Sequence, residues 1–239
     1  MNNKKNMNSI WKYRKDILQR INIIKTIYLN FSLLPFREGL KFPIFVYGKL
    51  KTSEITGKLQ IRGPIKRNML RLGSKHEMNI THANIAQLTL KGHLIIHGFT
   101  HIGIDTCLYI GKDACLEIGE DCYIGMKSQI YCLDNIKIGK QALIGSETYI
   151  TDSDFHHIKD NITKENLTLT KPIIIGEKNY LGFRVVVLKG CITPNNCIFC
   201  SCAVGNKNYL SLGENIMIGG IPAKLIKENI GVSYSYQEQ

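Results

Sequence analysis

One dipeptide, an aliphatic residue followed by glycine, recurs through the middle of the chain. It stands at Ile102-Gly103, Ile110-Gly111, Ile118-Gly119, Ile124-Gly125, Ile138-Gly139, Ile144-Gly145, Ile175-Gly176 and Leu181-Gly182. The spacing is mostly six residues, with steps of eight from Ile102 to Ile118 and again between Ile130 and Ile138. A fixed period of this kind constrains architecture more than any local propensity. Glycine at this frequency excludes helices, where each costs about 1 kcal/mol relative to alanine. A six-residue unit suits one short edge: an inward aliphatic side chain, then a corner with unusual backbone angles and close approach of the next coil, which favours glycine. Three edges close a triangular coil. Stacked coils pair their strands in parallel and bury continuous aliphatic columns, as in other solenoids. The expected fold is an all-β solenoid, a parallel β-helix, whose eight-residue steps are slightly longer corners.

The flanks read differently. From Ser9 to Leu34 apolar residues recur at helical spacing (Ile10, Ile17, Ile21, Ile24, Tyr28, Phe31) with Lys and Arg between them. The segment is read as one or two amphipathic helices packed on the main domain. The alternative is a basic amphipathic helix resting on a membrane surface, a peripheral contact that would suit an acceptor linked to lipid. Residues 1–41 are thus assigned as an N-terminal helical segment. The β-helix runs over 42–226 with an inserted loop at 151–174, and 227–239 form a C-terminal tail. Solenoid ends expose unpaired strand edges, so the helices are expected to cap one end and the segment after Gly219 the other.

A formal net charge of +12 favours anionic partners. No groove-reading helix or base-stacking module accompanies it, which argues against nucleic acid. No leader is legible at the start and no run approaches the roughly 20 apolar residues of a membrane span, so the expected location is the cytoplasm. The eight cysteines then read as reduced, small core residues. Cys197, Cys200 and Cys202 lie close together, but no second Cys or His pair stands at zinc-site spacing, and no metal is expected. His93, His97 and His101 stand four apart in a stretch patterned as strand, where that spacing forms no ligand face.

The repeat breaks once, between Ile150 and Ile175. The break opens with Thr151-Asp-Ser-Asp-Phe-His-His-Ile158 and runs on past Pro172. Long excursions from a compact domain are usually functional or disordered, and disorder does not require this cluster of histidines and carboxylates. The stretch Asp152-Ser-Asp154-Phe155-His156 and the later Lys171-Pro-Ile-Ile-Ile-Gly176 together resemble the hexapeptide-repeat acyltransferases. Val187-Leu-Lys-Gly190 and Gly220-Ile-Pro-Ala-Lys224 add to the likeness. The nearest resemblance is to the maltose/galactoside acetyltransferase-like group and the O-acetyltransferases of surface polysaccharide clusters. Lys25-Thr-Ile-Tyr-Leu-Asn-Phe31 and Lys41-Phe-Pro43 also look like that polysaccharide branch.

The resemblance implies a left-handed parallel β-helix, a homotrimer with active sites between subunits, acetyl-CoA or a related acyl-CoA as donor, and a sugar or glycan hydroxyl as acceptor. By motif position His156 is the general base, with His157 beside it. An imidazole suits removal of a hydroxyl proton near neutral pH. Asp152 or Asp154 either orients the ring, as carboxylates do in triads, or only shapes the loop through hydrogen bonds to its backbone. For the donor, the resemblance points to Gly182, Ser201, Lys207 and Lys224, the lysines as phosphate partners. Two alternatives stand beside this expectation: N-acetyl transfer to an amino sugar, and a non-catalytic β-helix that binds or scaffolds. Zinc chemistry of the γ-carbonic anhydrase type lacks three matching histidines. The chain departs from the family pattern at Thr193-Pro-Asn-Asn-Cys-Ile-Phe-Cys-Ser-Cys-Ala203, where corner glycine is lost at Pro194, Cys200 and Cys202, and at Tyr180, where tryptophan is common.

Overall fold

The computed structural model describes residues 21–74 and 85–232. Of the helical apolar series, Ile10 and Ile17 lie outside the described residues. The chain forms a left-handed parallel β-helix of three sheets. The first sheet carries nine strands from Ile44–Val46 to Lys224–Lys227, the second seven from Lys49–Ile55 to Val204–Gly205, and the third five from Lys58–Ile61 to Ile173–Ile175. Single bridges from Ile174 to Ile192 and from Ile192 to Asn208 continue the third face.

Inward columns follow from the register. On the first face Val46, Leu72, Ile102, Ile124, Ile144, Leu181, Phe199 and Ile218 stack in line, each buried. On the second face Leu88, Leu108, Ile130, Ile150 and Val187 do the same. Full burial of such a side chain contributes roughly 1.5–3 kcal/mol, so the columns supply most of the driving force for coiling.

The corners correct the sequence expectation in two ways. First, glycine is needed for close approach alone: a Cβ on Gly125 would lie 2.5 Å from the backbone nitrogen of Ser146 in the next coil. The left-handed backbone angle comes two residues later, on polar side chains: Asp105, Asp113, Asp121, Lys127, Gln141, Glu147, Lys178 and Arg184 all have φ between 53° and 64°. Secondly, the eight-residue step from Ile110 to Ile118 is not a longer corner: Leu116 lies six after Ile110 and precedes Ile118, both buried, so the strand Cys115–Ile118 carries two inward residues. The other eight-residue steps arise in the same way. Leu108 lies six after Ile102 and precedes Ile110, and Ile136 lies six after Ile130 and precedes Ile138; all are buried.

Both ends of the stack are closed. Helix α1, Ile23–Leu33, is capped by the Asn22 side chain, which accepts from the Lys25 N–H at 3.0 Å. It lies against the first strand and pairs its free edge with side chains. Asn30 Nδ2 donates to the Ile44 carbonyl at 2.7 Å, the Ile44 N–H donates to Asn30 Oδ1 at 3.1 Å, and the Val46 N–H donates to Thr26 Oγ1 at 3.0 Å. A second short helix, α2, Phe36–Gly39, leads into that strand. At the far end the strand Lys224–Lys227 turns back antiparallel on Ile216–Gly219 and ends the parallel ladder.

Asn30 is fully buried, so Asn30→Leu strands the Ile44 N–H and C=O in apolar surroundings at about 1–3 kcal/mol for each. Urea denaturation of the variant should show a midpoint well below that of the unmodified protein; an unchanged midpoint would remove α1 as the edge cap.

Candidate active site

The insertion leaves the second face after strand Tyr149–Thr151 and returns at Ile173–Ile175 on the third, so it springs from the vertex between those two faces. It is a ribbon. Ser153 pairs with Thr170 and Lys159 with Asn166 in antiparallel bridges, and the Leu167 N–H donates to the Ile158 carbonyl at 2.7 Å. At its tip the Asp160 carboxylate accepts from the N–H groups of Ile162 and Thr163 at 2.7 and 3.0 Å.

Asp152 anchors the base of the ribbon. It is fully buried, and its two oxygens accept from the N–H groups of Leu133 and Asp134, 2.8 and 2.9 Å away, at the corner of the preceding coil. Burial holds its carboxyl above the ordinary value, and those two N–H groups pull the other way. Both oxygens face the scaffold, and Asp152 thereby fixes the start of the chain that leads to the histidines. Asp154 makes an ion pair with Lys189, whose ammonium also donates to the Thr168 carbonyl. Lys189 sits in the next coil at the same vertex and so straps both arms of the ribbon to the solenoid.

A tight turn then separates two side chains. The His156 N–H donates to the Asp154 carbonyl at 2.7 Å across Phe155, whose φ is 61°. A bulky residue in the left-handed region is a genuine outlier, and such conformations cluster at functional sites. The Phe155 ring meets Tyr131 edge-on at 5.7 Å, and His156 and His157 are exposed beside it.

The donor candidates lie elsewhere. Gly182 is buried and Ser201 exposed at stacked corners between the first and second faces; a Cβ on Gly182 would come 2.8 Å from the Ser201 nitrogen. Phe183 and Arg184 extend that vertex, with the guanidinium 4.7 Å from the Phe183 ring and 2.7 Å from Glu147. Lys207 is exposed at the second-to-third vertex, 5.5 Å from the Tyr209 ring. Lys224 is exposed at the start of the antiparallel strand. One chain therefore brings Gly182 to Ser201 and Asp154 to Lys189, but holds His156 on a different vertex from Gly182 and Ser201. Sequence reasoning missed Lys189, although it lies inside the quoted Val187–Gly190 stretch. Its signal was a lysine at a corner position where nothing in the repeat asks for one.

The three late cysteines do not converge. Cys197 faces the core and is pushed up to about 12 by burial, Cys200 is half-buried, and Cys202 is exposed. Among the described residues no three His, Cys, Asp or Glu side chains are grouped to hold a metal ion.

No family model matches the chain. Among curated proteins it is 33% identical over 109 residues to WbbJ of Escherichia coli K12, named for lipopolysaccharide biosynthesis O-acetyl transfer. The match covers 41% of this chain and 53% of that one, so the chain spans about half the length of this relative. It is 28% identical over 223 residues to an uncharacterized 24.8 kDa protein in the cps region of Klebsiella pneumoniae, covering 90% and 96% of the two chains. Among solved structures the polySia specific acetyltransferase NeuO superposes with a TM-score of 0.61 at 20% identity, over 82% of this chain and 81% of that one. That match supports the fold. Asp152→Ala should lower stability by about 1–3 kcal/mol in urea denaturation, whereas His156→Ala should stay within about 0.5 kcal/mol of the unmodified protein; equal stabilities would remove the anchoring role of Asp152. In sequence and in fold, the chain is similar to the hexapeptide-repeat acyltransferases of surface polysaccharide biosynthesis.

Proposed function

We propose that the protein is an acyl-CoA-dependent O-acyltransferase that moves an acetyl group from acetyl-CoA to a hydroxyl of a sugar or glycan during surface polysaccharide synthesis. The observation that carries this reading is the exposed His156, delivered by an anchored ribbon at the one break in the repeat. In the reaction the imidazole takes the proton of the sugar hydroxyl as its oxygen attacks the thioester carbonyl. The tetrahedral intermediate collapses with cleavage of the C–S bond, and the imidazolium returns its proton to the departing thiolate. Asp154 and Lys189 hold the turn that presents the ring.

The separation of His156 from Gly182 and Ser201 supports a homotrimer in which the ribbon of one subunit meets the late coils of its neighbour. There Ser201, Lys207 and Lys224 are proposed to take the donor, the cations on its phosphates. Acetyl-CoA as donor fits a reaction on the cytoplasmic side. Among the described residues no helix is long and apolar enough to cross a membrane.

With acetyl-CoA and a panel of sugar acceptors, His156→Ala should lower the rate about 10²–10⁴-fold while acetyl-CoA binding by calorimetry is kept. Light scattering should give the mass of three chains. An unchanged rate would remove His156 as the base, and a monomeric mass would remove the intersubunit site.

The outer side of α1 exposes Ile23, Ile24, Ile27 and Tyr28, with Ile24 80% accessible. This supports a peripheral membrane contact next to a lipid-linked acceptor. Flotation with vesicles containing anionic lipid should carry the protein upward, and Ile23→Ser/Ile24→Ser should abolish it; protein that stays at the bottom of the gradient contradicts the contact.

A further inference from the structure

We infer that Tyr109, Tyr131 and Tyr149 form a stacking platform for an oligosaccharide, so that the acceptor is recognised as a chain rather than as a single sugar. The inference rests on the acyltransferase reading and deepens it. The three tyrosines face outward from three successive coils of the second face. Tyr109 and Tyr131 stand in register, and Tyr149 lies one column across, opposite Gln129. The ring centroids are 6.1 Å apart for Tyr109 and Tyr131 and 5.7 Å apart for Tyr131 and Tyr149, with tilts of 40° and 47°. The solenoid does not require aromatic residues here, for its outward positions elsewhere are held by Lys51, Gln87, Glu117 and Lys137. All three rings are half-buried, so each keeps part of its surface open to solvent.

The row is continuous with the catalytic ribbon. One coil beyond Tyr131 the register position is Thr151, which is short, and Phe155 folds back over Tyr131 at 5.7 Å. The residue after Phe155 is His156. In the other direction the row runs toward the N-terminal coils and ends near Lys91. That ammonium lies 5.9 Å from the Tyr109 centroid and is paired with Glu54 at 2.7 Å. Polar groups flank the rings, among them Gln129, whose Oε1 accepts from the Tyr131 hydroxyl at 3.2 Å.

Aromatic faces bordered by amides and hydroxyls match the chemistry of a pyranose, which has C–H-rich faces and a rim of hydroxyl groups. A sugar over Tyr131 and Phe155 would place a hydroxyl toward His156, and the units beyond it would lie on Tyr109. Binding of those remote units would then help to hold the reacting one. Tyr109 touches neither His156 nor the donor vertex, so it can be changed without disturbing either.

The test is a glycan array bearing mono- to hexasaccharides from bacterial capsular and O-antigen polysaccharides, read with the intact protein. Binding should favour longer glycans over their terminal monosaccharides. Tyr109→Ala should weaken the longer ones about tenfold, the loss of one stacked ring, and Tyr109→Phe should keep them. Acetyl-CoA hydrolysis without any glycan should be the same in all three proteins, which shows the fold and the donor half to be intact. Binding to no glycan, or binding that Tyr109→Ala leaves unchanged, overturns the platform. If the array pattern holds but acetyl-CoA is not turned over, the enzyme reading falls and the platform stands.

Discussion

Everything in this molecule depends on how closely one coil can lie on the next. At most repeat corners the backbones approach until there is no room for a Cβ, as at Gly125 beneath Ser146. Two residues later the chain takes a left-handed angle and swings onto the next face. The first requirement selects glycine. The second is met by Asp, Gln, Glu, Lys and Arg, whose side chains are exposed or half-buried at the corners. Once corners stack in this way, the inward columns are in register without further instruction.

The same constraint explains how the chain tolerates its irregular late coils. Cys200 occupies a glycine position, and its Cβ would lie 2.9 Å from a Cβ at Gly219 in the following coil. The requirement for glycine is therefore moved one coil along. Cys202, with φ of 62°, takes the left-handed position and not the close-approach one. Phe199 is larger than its column neighbours; its ring fills the space over Gly205 and meets Tyr209 edge-on at 6.1 Å. These coils keep their geometry, and the vertex that carries Gly182 and Ser201 stays continuous.

Parts of the candidate site were legible and parts were not. His156 stood out because a histidine pair and two carboxylates opened the break in a strict period. The division of labour between the carboxylates was not legible. Asp152 and Asp154 are two residues apart in a polar segment, and only the folded chain shows one aimed at the corner of the coil below and the other at Lys189. The tyrosine row was hidden for a related reason. Tyr109 and Tyr131 lie 22 residues apart, and only the register of the coils makes them neighbours.

By itself the sequence determined the solenoid, its three-edged coil and the place where the coil opens, because periodic burial and steric exclusion at corners are local properties that repeat. Tertiary structure decided which vertex carries each candidate residue. The number of residues per corner sets which side chains stack across coils, and that sum accumulates along the whole chain. It also decided how the ends are closed: Asn30 and Thr26 meet a strand edge 14 and 20 residues away, and no period records such contacts.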